Sequence, residues 1–225
     1  MIKTEGQLAV LTAYAEERIV IMSKKFILPQ RQESHERYEA NRAVNTCISE
    51  SFHASMVNVV SAMQTKVEVD FIPSNMVIAS DAMDIPYGSS TLGVSGCAVF
   101  CVHDALTYAR RSEYEKLSIR EVAQEVANKG YYEPGKGTYH NLFDHLGARR
   151  ATDVQDIFDA LCKREHAIVT FLVDNAVYNG RDGRHFINAV YYKNGDFIIN
   201  DSSIGVTLAI SAKTILQAVD IAWIW

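Results

Sequence analysis

The chain has 225 residues, of which 48% are hydrophobic and 22% charged, with four prolines and twelve glycines. That make-up suits one generous globular domain, or one domain plus an appendage, and excludes disordered, collagenous and coiled-coil rod classes. Its 22 basic residues against 27 acidic ones, a formal charge of −5, argue against nucleic acid as the main partner, because phosphate binding wants a basic field.

Glycine usage divides the chain, with Gly6 alone before residue 88 and eleven glycines from Gly88 onward. Residues 7 to 22 read as a helix that ends before Pro29. Val44, Ile48, Phe52, Met56, Val60 and Met63 then recur every three or four residues, the stripe of an amphipathic helix. Lys66 to Phe71 alternates polar and apolar as a short strand does. We therefore expect a mainly helical N-terminal segment over 1–70 and a second unit over 71–225.

From about residue 86 the elements become short and are separated by Gly, Ser and Asp. Gly96 to Arg111 reads as a helix with Val99, Val102 and Leu106 on its apolar face. Ser118-Ile119-Arg120-Glu121 is a capping box opening a helix to Asn128, and Gly130 stops it. Another helix starts near Thr152 or Asp153 and carries Val154, Ile157, Phe158 and Leu161. Ile168 to Val173, Phe186 to Tyr192 and Phe197 to Asn200 read as strands. Asn194-Gly195 joins the last two as a hairpin turn. Helices followed by antiparallel strands make the fold class α+β.

No apolar run approaches the roughly 20 residues that span a bilayer. Lys3 followed by Leu8 to Ala15 resembles a signal peptide only faintly, and Glu5 interrupts its basic region. The four cysteines (Cys47, Cys97, Cys101 and Cys162) are too few for a disulfide scaffold, so free thiols in the cytoplasm are expected. Secretion as an effector stays open.

Cys97 stands where a glycine-marked loop becomes an apolar helix. A thiol there meets the positive end of the helix dipole, which favours the thiolate, and free backbone N–H groups that can hold an oxyanion. Gly96 would let a substrate carbonyl approach closely. The competing reading is a small buried hydrophobe at a helix start. Cys101, one turn on, reads as packing. Of seven histidines, His185 differs by opening a strand after a polar turn. Sixteen residues later, across the hairpin, Asp201 closes the partner strand, and antiparallel pairing brings the open ends side by side. That offers a base with an orienting carboxylate; a capped strand end with a turn aspartate is the alternative. His140, Asp144 and His145 present possible metal ligands from one turn without a further helix-spaced partner, so no metal site is expected. Asp174, Asn175, Asn179 and Asp182 lack the closing glutamate of a calcium loop and read as a loop beside His185.

Tyr87-Gly88-Ser89-Ser90-Thr91-Leu92 with Ser95-Gly96-Cys97, the Gly183-Arg184-His185-Phe186 strand and the strand ending in Asn200-Asp201-Ser202 together resemble the bacteriocin-processing (double-glycine leader) peptidase-like family. That family is a branch of the papain-like cysteine peptidases. The resemblance covers roughly residues 70 to 225. It implies a papain-like fold, with the nucleophile at a helix N-terminus packed on an antiparallel sheet. It further implies Cys97 as nucleophile, His185 as general base and acid, and Asp201 as orienter. The family's Gly-Cys-Gly-Pro is Gly-Cys-Ala-Val here, its Gly-His is Gly-Arg-His, and its oxyanion glutamine has no counterpart between Gln64 and Cys97. Asn75 is the best stand-in, and Thr91 a weaker one. The expectation is a cysteine peptidase acting on a peptide or protein, with no metal or organic cofactor, no nucleic acid and no membrane. Residues 1–70 would be a pro-segment, a recruitment module or an oligomerisation helix that could make a homo-oligomer. The alternative is a catalytically idle module that keeps the fold for binding.

Overall fold

The computed structural model describes residues 26–31, 80–110, 114, 116–163, 166–202 and 206–225. The helices expected over 7–22 and along the 44–63 stripe, the strand at 66–71, Cys47 and Asn75 lie outside the described residues. Strands β5 (Arg149–Arg150), β6 (Val169–Asp174), β7 (Arg184–Lys193), β8 (Asp196–Asp201), β9 (Val206–Ser211) and β10 (Val219–Ile224) form a wholly antiparallel sheet in the order β5-β10-β6-β7-β8-β9. Helices α2 (Cys97–Ala109), α3 (Ile119–Asn128) and α4 (Asn141–His145) cover one face, and α5 (Val154–Lys163) with α7 (Ala212–Ala218) covers the other. The class is α+β.

Burial of both faces explains why the 168–173 run is unbroken and apolar where a half-exposed strand would alternate. Successive side chains simply enter different cores. Leu172, Phe186, Ile221 and Trp223 join α2, α3 and α4, whereas Phe171, Val173, Ile187 and Ala222 join α5 and α7. The helix expected over Gly96–Arg111 is α2, and it is buried nearly all round, including Ala98 to Val102 without a break. The capping box forms as expected. Ser118 Oγ accepts from the Glu121 N–H, and Glu121 Oε2 accepts from the Ser118 N–H at 2.9 Å. Residues 206–225 add β9, α7 and β10, which the sequence reading leaves unassigned.

The β7–β8 hairpin contains an irregularity that decides which side chains share a face. Near its turn Lys193 pairs with Asp196 and Tyr191 with Ile198, but further on Ala189 pairs with Ile199 and Asn188 with Asn200. Val190 is therefore an extra residue, a β-bulge. Both Val190 and Tyr191 accordingly pack with Ala105 of α2. Continued past the bulge, the register sets Asp201 opposite Ile187, on the same side of the sheet as His185. Without the bulge Asp201 would stand opposite Asn188 and face away from His185.

Residues 26–31, part of the segment expected to be helical, adopt neither helix nor strand. They strap across the domain. Phe26 and Leu28 are buried in the α2–α3 core, and Phe26 meets Tyr114 edge to face. The Leu28 N–H donates to Glu125 Oε1 and the Arg31 N–H to the Lys129 carbonyl, each at 2.9 Å. The core thus draws on residues well before position 71. Leu28 is 1% exposed, so Leu28→Ala should destabilise the fold by about 2–4 kcal/mol in denaturant unfolding, and a change under about 0.5 kcal/mol would contradict the docking.

Candidate active site

Two short hairpins and α2 enclose a cleft of about 530 Å³ that includes Cys97. One hairpin is β1 (Pro86–Tyr87) with β2 (Ser90–Thr91), continued by the one-turn helix α1 (Leu92–Ser95). The other is β3 (Tyr132–Glu133) with β4 (Gly137–Thr138). Tyr87 Oη lies 2.6 Å from Thr138 Oγ1, and Ser89 Oγ lies 3.0 Å from Tyr132 Oη, which ties the two walls together. Gly88 has φ +58°, and a Cβ there would sit 2.0 Å from the Tyr132 ring, so glycine is required for both conformation and fit. Ser90, Ser95, Gly137 and Phe186 also line the cleft.

Cys97 begins α2 and is partly exposed to this cleft. The first N–H groups of a helix have no intrahelical acceptor, so the Cys97 N–H belongs to a set free to bind an oxygen. Gly96 corrects an expectation. It is buried, and a Cβ there would lie 2.6 Å from the backbone of Leu92. Glycine is needed to pack α1 against the start of α2, which is a different role from admitting substrate.

His185 at the mouth of β7 is 6% exposed, and Asp201 at the end of β8 is 1% exposed. His185 Nε2 lies 2.7 Å from Asp201 Oδ1. Cys97 is close enough to bear on the charge of the ring, and Nδ1 is the nitrogen that Asp201 leaves free of its own bond. Burial works against a charged ring, but the bond to Asp201 and the nearby Cys97, with the charge of both, outweigh it and raise the His185 pKa to about 9. The structure therefore brings together Cys97, His185 and Asp201, which lie far apart in the chain.

One residue at the site escaped the sequence reading. The loop after β6 contains the short helix α6 (Asn175–Tyr178), opened by Asp174 Oδ1 accepting from the Ala176 N–H at 2.8 Å. Tyr178 Oη donates to Asp201 Oδ2 at 2.9 Å, and its ring stacks on His185 with centroids 6.3 Å apart. Both carboxylate oxygens of Asp201 are thus engaged. Burial, then the nearby Asp201 charge, pushes the Tyr178 hydroxyl well above its ordinary range and keeps it a donor. Its only signal in the chain is an aromatic residue in a polar loop.

Other candidates separate from the cluster. Cys101 is buried, and burial, followed by the charge of Cys97 and Asp104, pushes its thiol well up, consistent with packing. Thr91 does not line the cleft, and neither do the buried His185 and Asp201, although Arg184 and Phe186 on either side of His185 do. Asp144 accepts from Arg150 and Trp223, and His145 Nδ1 bonds Tyr131 Oη, so neither joins His140 at the cleft rim. Compared with known proteins, the chain matches no family model and no curated relative.

The raised pKa of His185 has a consequence for stability. An unfolded histidine titrates near 6.5, so the stabilisation from the charged ring is complete below about pH 6.5 and lost as pH rises through about 9. Thermal melts at pH 6 and pH 9.5 should show a larger loss for the wild-type chain than for His185→Phe. Equal losses would mean that the ring is not held charged.

Proposed function

We propose that this chain is a thiol-dependent hydrolase, a papain-like cysteine peptidase that cleaves peptide bonds through an acyl-enzyme on Cys97. One observation carries the reading. A cysteine at a helix start stands by a buried imidazole whose Nε2 is held at 2.7 Å by a buried carboxylate, the order of a nucleophile, a base and an orienter. The resemblance of residues 87–97, 183–186 and 200–202 to the bacteriocin-processing peptidase-like family supports the same reading and the papain-like fold.

In this mechanism Cys97 is a thiolate and His185 an imidazolium. The sulfur attacks the substrate carbonyl carbon, and the carbonyl π pair moves onto oxygen, where first-turn N–H groups of α2 stabilise it. The oxyanion collapses, the C–N bond breaks, and His185 gives its proton to the departing amine. A water then loses a proton to His185 and attacks the thioester. The C–S bond breaks, the acid leaves, and the thiolate–imidazolium pair returns. Asp201 keeps the ring oriented throughout, and Tyr178 holds Asp201. Each step needs only groups of this chain, the peptide and water.

Iodoacetamide labelling of the folded full chain across pH, read cysteine by cysteine by peptide mass spectrometry, tests this proposal. Cys97 should be labelled at pH 5.5–6 at least tenfold faster than Cys101 and Cys162, and His185→Ala should abolish that lead. Equal labelling of Cys97 and Cys162 would overturn the peptidase and leave the idle binding module. With a substrate from a peptide library, turnover should vanish in Cys97→Ala. In the wild-type it should fall as pH rises through about 9, where His185 loses its proton.

A further inference from the structure

A second group of polar side chains is buried where α2 lies on the sheet, and the mechanism above does not use it. Asp104 is 6% exposed and stands seven residues after Cys97, two turns along the same side of α2. Its carboxylate accepts from Asn200 Nδ2, and the His103 ring lies beside it at 3.6 Å. Asn200 is 4% exposed and directly precedes Asp201. A parallel link runs through β7, where Asn188 Nδ2 donates to the Cys101 carbonyl at 3.1 Å and Thr170 Oγ1 donates to Asn188 Oδ1 at 2.6 Å.

A helix seated on a sheet needs only apolar side chains for adhesion, and a carboxylate in such a place carries a desolvation penalty. Burial indeed pushes the Asp104 carboxyl above its ordinary range, against the opposing effects of His103 and Asn200. What apolar contact lacks is direction. It resists lifting the helix off the sheet far more than sliding it along its axis. A hydrogen bond at each of two places along α2 fixes that slide. One of them ends on the residue next to Asp201.

We propose that Asp104 is a positioning residue. Its bond to Asn200 sets the axial seat of α2 on β8 and so keeps the Cys97 sulfur within reach of His185. The inference rests on the thiol-hydrolase reading of Cys97, His185 and Asp201. Asp104 touches no reacting atom. It acts through the helix backbone on one side and through Asn200 on the other.

The test is iodoacetamide labelling of Cys97 at pH 5.5–9 in the full chain, with Cys162 as internal reference and thermal melts on the same samples. Replacing both partners of a buried hydrogen bond by apolar groups of similar shape is close to neutral for stability. Asp104→Leu/Asn200→Leu should therefore melt near the wild-type temperature. It should nevertheless lose the low-pH lead of Cys97 by about tenfold or more, as a misplacement near 1 Å does. Asp104→Asn retains an acceptor for the Asn200 amide and should stay within about threefold of wild-type. A folded double variant that labels like wild-type overturns the inference and leaves the site reading intact. Asp104→Asn as slow as the double variant also overturns it, because the charge and not the link would then matter. If the double variant has no melting transition, Asp104→Ala is judged by the same labelling criterion. If wild-type Cys97 shows no lead at all, the site reading has failed and this inference with it.

Discussion

Cys97, His185 and Asp201 come together only because α2 lies on the sheet with its first residue level with the open ends of β7 and β8. The thiol belongs to the helix, and the imidazole and carboxylate belong to the strands. Neither part is a site alone. Helix α2 achieves this by being apolar almost all round, with Ala98 to Val102 and Ala105 to Leu106 buried among the sheet, α3 and the cleft hairpins. That burial leaves few side chains free to specify where along the sheet the helix rests, and its hydrogen bonds with Asn188 and Asn200 add direction there, as the one from His103 to the Leu117 carbonyl does on another side.

The electrostatics follow from the same seating. A histidine this buried would ordinarily lose its proton, since a low-dielectric surrounding disfavours charge. Two groups reverse that outcome, Asp201 held on Nε2 at 2.7 Å and the nearby Cys97. Tyr178 closes the arrangement by donating to the second oxygen of Asp201, its ring inclined at 30° to the imidazole with centroids 6.3 Å apart. Water competing for either position would weaken the ion pair. A tyrosine brings an apolar ring and still donates to the carboxylate, whereas a phenylalanine would remove that hydrogen bond.

Much of this was legible in the chain. Short-range chemistry announced the capping box at Ser118, the Asn194-Gly195 turn, the strand ends and the glycine-marked start of α2, because each is written within four or five residues. Cys97, His185 and Asp201 stand out through their places at element ends. Three things do not. Gly96 reads from the chain as open to a ligand, but the atoms that demand glycine are those of the Leu92 backbone, which only packing brings near. Tyr178 reaches Asp201 from a loop whose composition is otherwise that of solvent-facing chain. Phe26 and Leu28 lie more than fifty residues upstream of the elements they pack on, and no local pattern carries such a contact.

The bulge at Val190 shows how the spacing of His185 and Asp201 must be counted. In a regular hairpin with a two-residue turn, two residues that share a face are separated by an odd number of positions. His185 and Asp201 are separated by sixteen, an even number, and one surplus residue in β7 restores the match. What decides whether the pair shares a face is thus the parity of the interval taken together with the number of bulge and turn residues. Losing the bulge and shortening the interval to fifteen would leave the pair intact, as would exchanging the bulge for a third turn residue. A motif written with one fixed interval would miss such chains. A rule that counts turn residues and bulges together would find them.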